Sequence, residues 1–263
     1  MPDFPWNDFL TFFFVGFGAQ IVDGALGMAY GVVSSTVLLS VGVPPATASA
    51  SVHAAEVFTT AASASSHVAH KNVNWKMFFP LAIAGVIGGV LGAYVLTGID
   101  GNTIKPFIVG YLGIMGCVIL WRAYKGPSRT PTSPKLIAPL GLVGGFCDAT
   151  GGGGWGPTVT SALVGSGTEP RYSIGTVNTA EFFVTVAISV AFVTALLTGH
   201  WQNAEGLLDH AAAVAGLVVG GVLAAPLAGW VTRLVPVRIF TWLVGFLVLF
   251  LCLYQGLKLF KII

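Results

Sequence analysis

Charge is what this chain has least of. Its 263 residues carry 12 Lys and Arg and 10 Asp and Glu, 8% of the total, where a soluble domain carries about a quarter. With 55% hydrophobic residues and a mean hydropathy of +0.84, a soluble fold is excluded and an integral membrane protein is indicated. A net charge of +2, with basic residues scattered rather than clustered, gives no footing for nucleic acid. Cysteine is scarce too: Cys117, Cys147 and Cys252 have no metal-type spacing and read as small apolar packing residues. No Ser-His-Asp, Cys-His or metal-ligand constellation with catalytic spacing is present, so neither an enzyme nor a bound cofactor or metal is expected.

What is present in quantity is apolar sequence of membrane-crossing length, at 46–66, 77–97, 104–121, 136–147, 172–197, 211–232 and 239–257, each near the length that a ~30 Å hydrocarbon core asks of a helix or half-helix. The expected class is therefore an all-α polytopic membrane protein, with the lipid bilayer as its first partner. The leading run, FLTFFFVGFGAQIV, follows Asp3 and Asp8 and no basic residue, so it reads as a retained segment and not a signal peptide. Trp75, Trp121, Trp201 and Trp230 fit an aromatic belt.

The sequence is written twice. Shifted by 125 residues, 16–60 aligns on 141–185 without a gap and 12 of 45 positions are identical, among them Asp23/Asp148, Gly27/Gly152, Gly31/Gly156, Pro45/Pro170 and Glu56/Glu181. Tyr30 faces Trp155 in this alignment, and His53 faces Asn178. Residues 1–121 form a first transmembrane repeat and 136–263 a second. Between them 122–135, with four basic residues and three prolines, reads as an exposed linker on the cytoplasmic side by the positive-inside rule. Each repeat has a glycine-broken stretch followed by about three further spans. If the broken stretch crosses once, the repeats are parallel; if it is re-entrant, they are inverted. Base rates among secondary transporters favour inversion.

The break is plainest at CDATGGGGWGPTV, residues 147–159. Four glycines in a row cost about 0.5–1 kcal/mol each against alanine in a helix, and Pro157 suits the first turn of a new one. No Lys and Ser/Thr follow the glycines, which excludes a phosphate loop. Broken helices leave bare N–H and C=O groups, tolerated at membrane depth only when buried in protein or lining a cavity. The start of the helix near 156 therefore offers main-chain donors to an anion. The residues placed at such a site are Gly27, Tyr30, Gly31, Ser49 and His53 in the first half, and Gly152, Gly153, Gly154, Trp155, Gly156, Thr158 and Asn178 in the second.

Four of the ten acids, Asp23, Glu56, Asp148 and Glu181, are repeat-related pairs within apolar surroundings. A carboxylate near the bilayer centre costs at least about 2.5–3.5 kcal/mol, so such residues face an interior and usually act. They are candidates for holding a proton or cation; for Asp23 and Asp148, capping the half-helix that follows is an equal expectation. Ser49, His53, Glu56 and Thr60 share one helix face.

The duplicated core with GGGGWGP followed by EPRYSIGTVNTAEF resembles the TauE/SafE sulfite exporter family, also called toluenesulfonate uptake permeases, over nearly the whole chain. The resemblance implies a bacterial cytoplasmic-membrane transporter of a small sulfur-containing anion, sulfite or an organosulfonate such as sulfoacetate; the buried Glu56 and Glu181 add the expectation that protons or sodium move with the anion or in exchange for it. A second copy of the chain is an admissible partner. A divalent metal-cation transporter using Asp23, His53 and Glu56 is the competing expectation.

Overall fold

The computed structural model describes residues 5–125, 133–165, 169–201, 210–234 and 237–261, and among them there is no strand. The first half runs α1 (Trp6–Leu26), α2 (Tyr30–Ser40), α3 (Pro45–Ala69), α4 (Trp75–Thr97) and α5 (Gly101–Lys125). The second runs α6 (Ile137–Gly151), a wide π-type turn (Gly156–Thr160) leading into α7 (Ser161–Gly165), then α8 (Pro170–Leu197), α9 (Ala211–Leu234) and α10 (Val237–Leu259). Each half is thus a broken helix followed by three long helices, the order expected from the repeat. Of the linker expected at 122–135, residues 122–125 complete α5 and 134–136 form a short 3-10 turn; 126–132 lie outside the described residues.

Helices Trp75–Thr97, Gly101–Lys125, Arg171–Leu197 and Thr241–Leu259 are long and apolar enough to cross a membrane, with hydropathies of 1.8 to 2.2. The chain is a multi-pass membrane protein. Outward-facing Phe79, Ile83, Ile87, Phe107, Ile114, Phe246 and Phe250 are each more than half exposed, the surface a bilayer covers. α1, at 21 residues, is about 31 Å long and exceeds the half-bilayer expected of it, because the helix begins at Trp6, ahead of the first apolar run. Trp201 leaves the expected belt: it is buried against Phe192, with ring centroids 5.8 Å apart, because the chain turns inward after α8.

The two halves are packed by exchange. α1 lies along α9 of the other half, and α6 lies along α4. Close approach rests on glycine: a Cβ on Gly16 of α1 would come 2.5 Å from the Leu217 carbonyl oxygen of α9, and a Cβ on its repeat mate Gly141 would come 2.5 Å from that of Leu81 on α4. α3 packs on α8, and α5 on α10. The start of α8 is tied to the loop after α3, where Arg171 Nε donates to Asn72 Oδ1 at 2.5 Å and Nη2 to the His70 carbonyl at 3.0 Å. The residues after α8, His200 and Trp201, share a cavity with Pro44 and Ala46 at the start of α3.

A Cβ at Gly145 would run into the Gly85 carbonyl, whereas Gly18 has open space around it. Gly145→Val is therefore expected to abolish the monodisperse peak of detergent-solubilised protein in gel filtration, overpacking of about 1–3 kcal/mol or more, while Gly18→Ala leaves it unchanged.

Candidate functional site

Both helix breaks are built the same way. At the first, Gly27 takes the left-handed conformation, φ 63°, and its N–H donates to the Asp23 carbonyl at 2.6 Å. The Asp23 carboxylate then reaches past the break, its Oδ1 accepting from the N–H of Ala29 at 2.8 Å and of Tyr30 at 3.4 Å. At the second, Gly152 has φ 68° and donates to the Asp148 carbonyl at 2.7 Å, and Asp148 Oδ1 accepts from Gly154 at 2.8 Å and Trp155 at 2.9 Å. Glycine is required where a helix ends left-handed. One aspartate thus closes the outgoing helix with its carbonyl and caps the incoming one with its side chain. Capping, one of the two roles expected of Asp23 and Asp148, is present in the structure. The main-chain donors that the sequence offers to an anion are occupied here by the chain's own carboxylates.

The breaks meet back to back in the interior. A Cβ on Gly153 would strike Val32 N and Gly31 C, one on Gly31 would lie 2.6 Å from Gly153 Cα, and one on Gly156 would lie 2.5 Å from Met28 Cα. Cross-bonds lock the junction. The Ser35 hydroxyl donates to the Gly152 carbonyl, and its repeat mate Thr160 donates to the Gly27 carbonyl at 2.8 Å. Ser49 Oγ donates to the Ala149 carbonyl at 2.6 Å. The aromatic pair is spent on anchoring: Tyr30 donates to the Leu217 carbonyl at 2.8 Å and Trp155 Nε1 to that of Val177 at 3.2 Å.

α3 brings its polar face to this junction. Ser49, His53, Glu56, Thr59 and Thr60 are all buried. His53 Nδ1 lies 2.8 Å from the Ser49 carbonyl, which makes it an N–H donor, and Nε2 lies 3.3 Å from Asp148 Oδ2; that second contact needs one shared proton between ring and carboxylate. Ligand-type atoms of His53, Glu56 and Asp148 lie within 4.8 Å of one another.

This geometry corrects the metal-cation alternative. The set proposed from sequence was Asp23, His53 and Glu56, but His53 turns to Asp148 of the other half, and both of its ring nitrogens are engaged. Asp23, which the sequence grouped with His53 and Glu56, is not among the ligand atoms gathered around His53.

Asp23 instead faces a closed polar cavity with Gln20, Glu56, Asn178 and Glu181. Gln20 Oε1, Glu56 Oε2 and Asn178 Oδ1 are buried there without a hydrogen-bond partner, a rare condition for interior polar atoms. The structure therefore brings Asp23, Glu56, Glu181 and Asn178 to one cavity, and Glu56 also comes within 4.8 Å of His53 and Asp148. Thr158, half-buried, lies beside Met115 Sδ at 3.8 Å, away from both groups.

Two residues escaped the sequence reading. Gln20 looks like an isolated polar residue in an apolar run, and only its three-residue spacing from Asp23 on α1 hints at a shared face. Arg122 falls at the start of the basic stretch 122–135, which hides its inward turn. Arg171 is exposed and holds two loops together; Arg122, partly buried, turns inward, its Nη1 3.2 Å from Ser161 Oγ and 3.0 Å from Met28 Sδ.

Asp148→Ala strips the acceptor from two buried N–H groups, whereas Asp148→Asn keeps an oxygen in place. The alanine variant is expected to lose about 1–3 kcal/mol of stability and the asparagine variant visibly less, read as unfolding midpoints in detergent.

The family model described as Sulfite exporter TauE/SafE matches residues 12–255. The chain is 42% identical over 243 residues to "Probable membrane transporter protein YtnM" of Bacillus subtilis (strain 168), which spans 90% of this chain and 78% of that protein. No solved structure matches.

Proposed function

This chain belongs to the TauE/SafE sulfite exporter family of membrane transporters, and on that premise we propose that it is a secondary transporter of a small sulfur-containing oxyanion. Sulfite or an organosulfonate such as sulfoacetate is the substrate class, and the bacterial cytoplasmic membrane the location. The observation that carries the reading is the pair of matched breaks, Asp23–Tyr30 and Asp148–Trp155, meeting back to back inside the helical body. Discontinuous helices at corresponding positions of two repeats are where secondary transporters hold their solutes.

The repeats are proposed to be inverted, with each broken pair re-entrant. In support, the start of α8 meets the loop after α3 while the end of α8 meets the start of α3, so repeat-related helices run in opposite directions. Arg122, Lys125 and Arg171 then share the cytoplasmic side with the linker.

The oxyanion approaches from that side by way of Arg122, whose guanidinium supplies the one strong attraction near the second break, with the hydroxyls of Ser161 and Thr158 beside it. At the junction it takes main-chain donors that Asp23 and Asp148 hold in this closed arrangement, the N–H groups of Ala29, Tyr30, Gly154 and Trp155, with His53 and Ser49 next to them. Glu56 and Glu181 carry the coupling proton or sodium, which offsets the repulsion that four buried carboxylates exert on an anion.

Two tests address this reading. In a thermal-shift screen with sulfite, sulfate, thiosulfate, sulfoacetate and taurine, one sulfur oxyanion is expected to raise the unfolding midpoint; no response to any member counts against the substrate class. In liposomes, Arg122→Gln is expected to raise the apparent KM for that anion about ten- to hundredfold, the loss of a charged hydrogen bond of about 1.5–3 kcal/mol. Glu56→Gln is expected to remove the dependence of uptake on a pH or sodium gradient, and a dependence left intact would sink its coupling role.

A further inference from the structure

We infer that the cavity bounded by Gln20, Asp23, Glu56, Asn178 and Glu181 is a binding site for one dehydrated sodium ion. Three independent features select a cation. The wall carries three carboxylates and no basic residue, which repels the transported anion. Three buried oxygens on it, Gln20 Oε1, Glu56 Oε2 and Asn178 Oδ1, have no hydrogen-bond donor, and each belongs to a residue 2–3% exposed; acceptors left bare on one wall are complementary to a hard positive ion. The cavity volume is about 10 Å³, near the minimum for a single water, so it takes a bare ion and is too small for a sulfur oxyanion with its four or more heavy atoms.

The donor set selects among cations. It is oxygen only, with no imidazole or thiolate, which disfavours zinc and other borderline metals. The Asn178 amide is already oriented, its Nδ2 donating to Ser63 Oγ at 3.1 Å, which leaves Oδ1 for the cavity. Asp23 Oδ1 is shared with the main chain, and its bond to Tyr30 N, at 3.4 Å, is longer than the equivalent 2.9 Å bond from Trp155 to Asp148. The carboxylate at the polar cavity thus holds its helix start more loosely than its counterpart.

The site occurs once. In the repeat register Gln20, Thr59 and Ser63 of this cavity correspond to Gly145, Val184 and Ile188. Val184 and Ile188 are fully buried against Gly85 and Gly89. The mirror position has hydrocarbon in place of these three polar side chains and His53 in place of Asn178, so the oxygen-only donor set is not repeated there and one ion per chain is expected.

A coupling role for this ion rests on the transport reading above: sodium drawing on Asp23 loosens its hold on the N–H groups of Ala29 and Tyr30 and frees them for the oxyanion, a reciprocal linkage of the two ligands. Binding itself needs no anion and is measured without one. In sulfur-free buffer, sodium chloride is expected to raise the unfolding midpoint of the purified protein by about 2–4 °C over potassium or choline chloride at equal ionic strength. Radioactive sodium is expected to bind once per chain. Asn178→Leu and the volume-conserving Glu181→Gln remove both responses, while Gln255→Leu, at another buried amide whose Oε1 lacks a partner, keeps them. Equal midpoints in the three salts with no retained sodium overturn the inference, as does an unchanged sodium response in both cavity variants. A sodium response without any anion transport would leave the site standing and defeat the transport reading instead.

Discussion

A helix interrupted away from water must find partners for every main-chain group it sets loose, and the fold depends on how this chain meets that demand. At each interruption one aspartate serves both ends, its carbonyl taking the N–H of a left-handed glycine and its carboxylate taking the N–H groups of the next helical segment. Hydroxyls from the other half take the carbonyls that remain, Ser35 at Gly152 and Thr160 at Gly27. Of the four glycines at 151–154, Gly152 supplies the left-handed turn and Gly153 lets the two junctions touch, since any side chain there would occupy the backbone of Val32, while Gly151 and Gly154 make room for Tyr111.

Duplication gave the molecule two equivalent interiors, and they have diverged. On one side of the junction, threonine and serine on α3 and glutamine on α1 leave a small oxygen-lined space around Asp23. On the other, valine and isoleucine on α8 fill the corresponding space, and Asp148 is fully bonded to two N–H groups and to His53. Asp148 is thus bonded through both carboxylate oxygens, whereas the bonds of Asp23 to the main chain run through Oδ1.

Much of this is legible in the sequence: the 125-residue repeat pairs the two broken stretches, with Gly27 matched to Gly152, and pairs Glu56 with Glu181 in apolar surroundings. Polar spacing on α3 correctly marked one buried face. What could not be read was which residues face one another across the halves. His53 was grouped with Asp23 because both lie in the first repeat, yet exchanged packing sets it against Asp148. The same exchange hides the partners of Gln20 and Arg122: Gln20 shares its cavity with Asn178 and Glu181 of the other half, and Arg122 meets Met28 and Ser161. Spacing reports faces within a helix; it is silent on contacts between helices that the repeat interleaves.

That interleaving has a consequence for synthesis. Gly16 of α1 rests against Leu217 of α9, roughly 200 residues later, an interval of about 10–40 s at 5–20 residues per second on the ribosome. Until then the small-residue seam of α1 has no partner helix, and Asp23 and Glu56 lack the residues of α8 that share their cavity. A chain organised this way cannot mature in halves, and its quality control falls late, when the second repeat closes over the first.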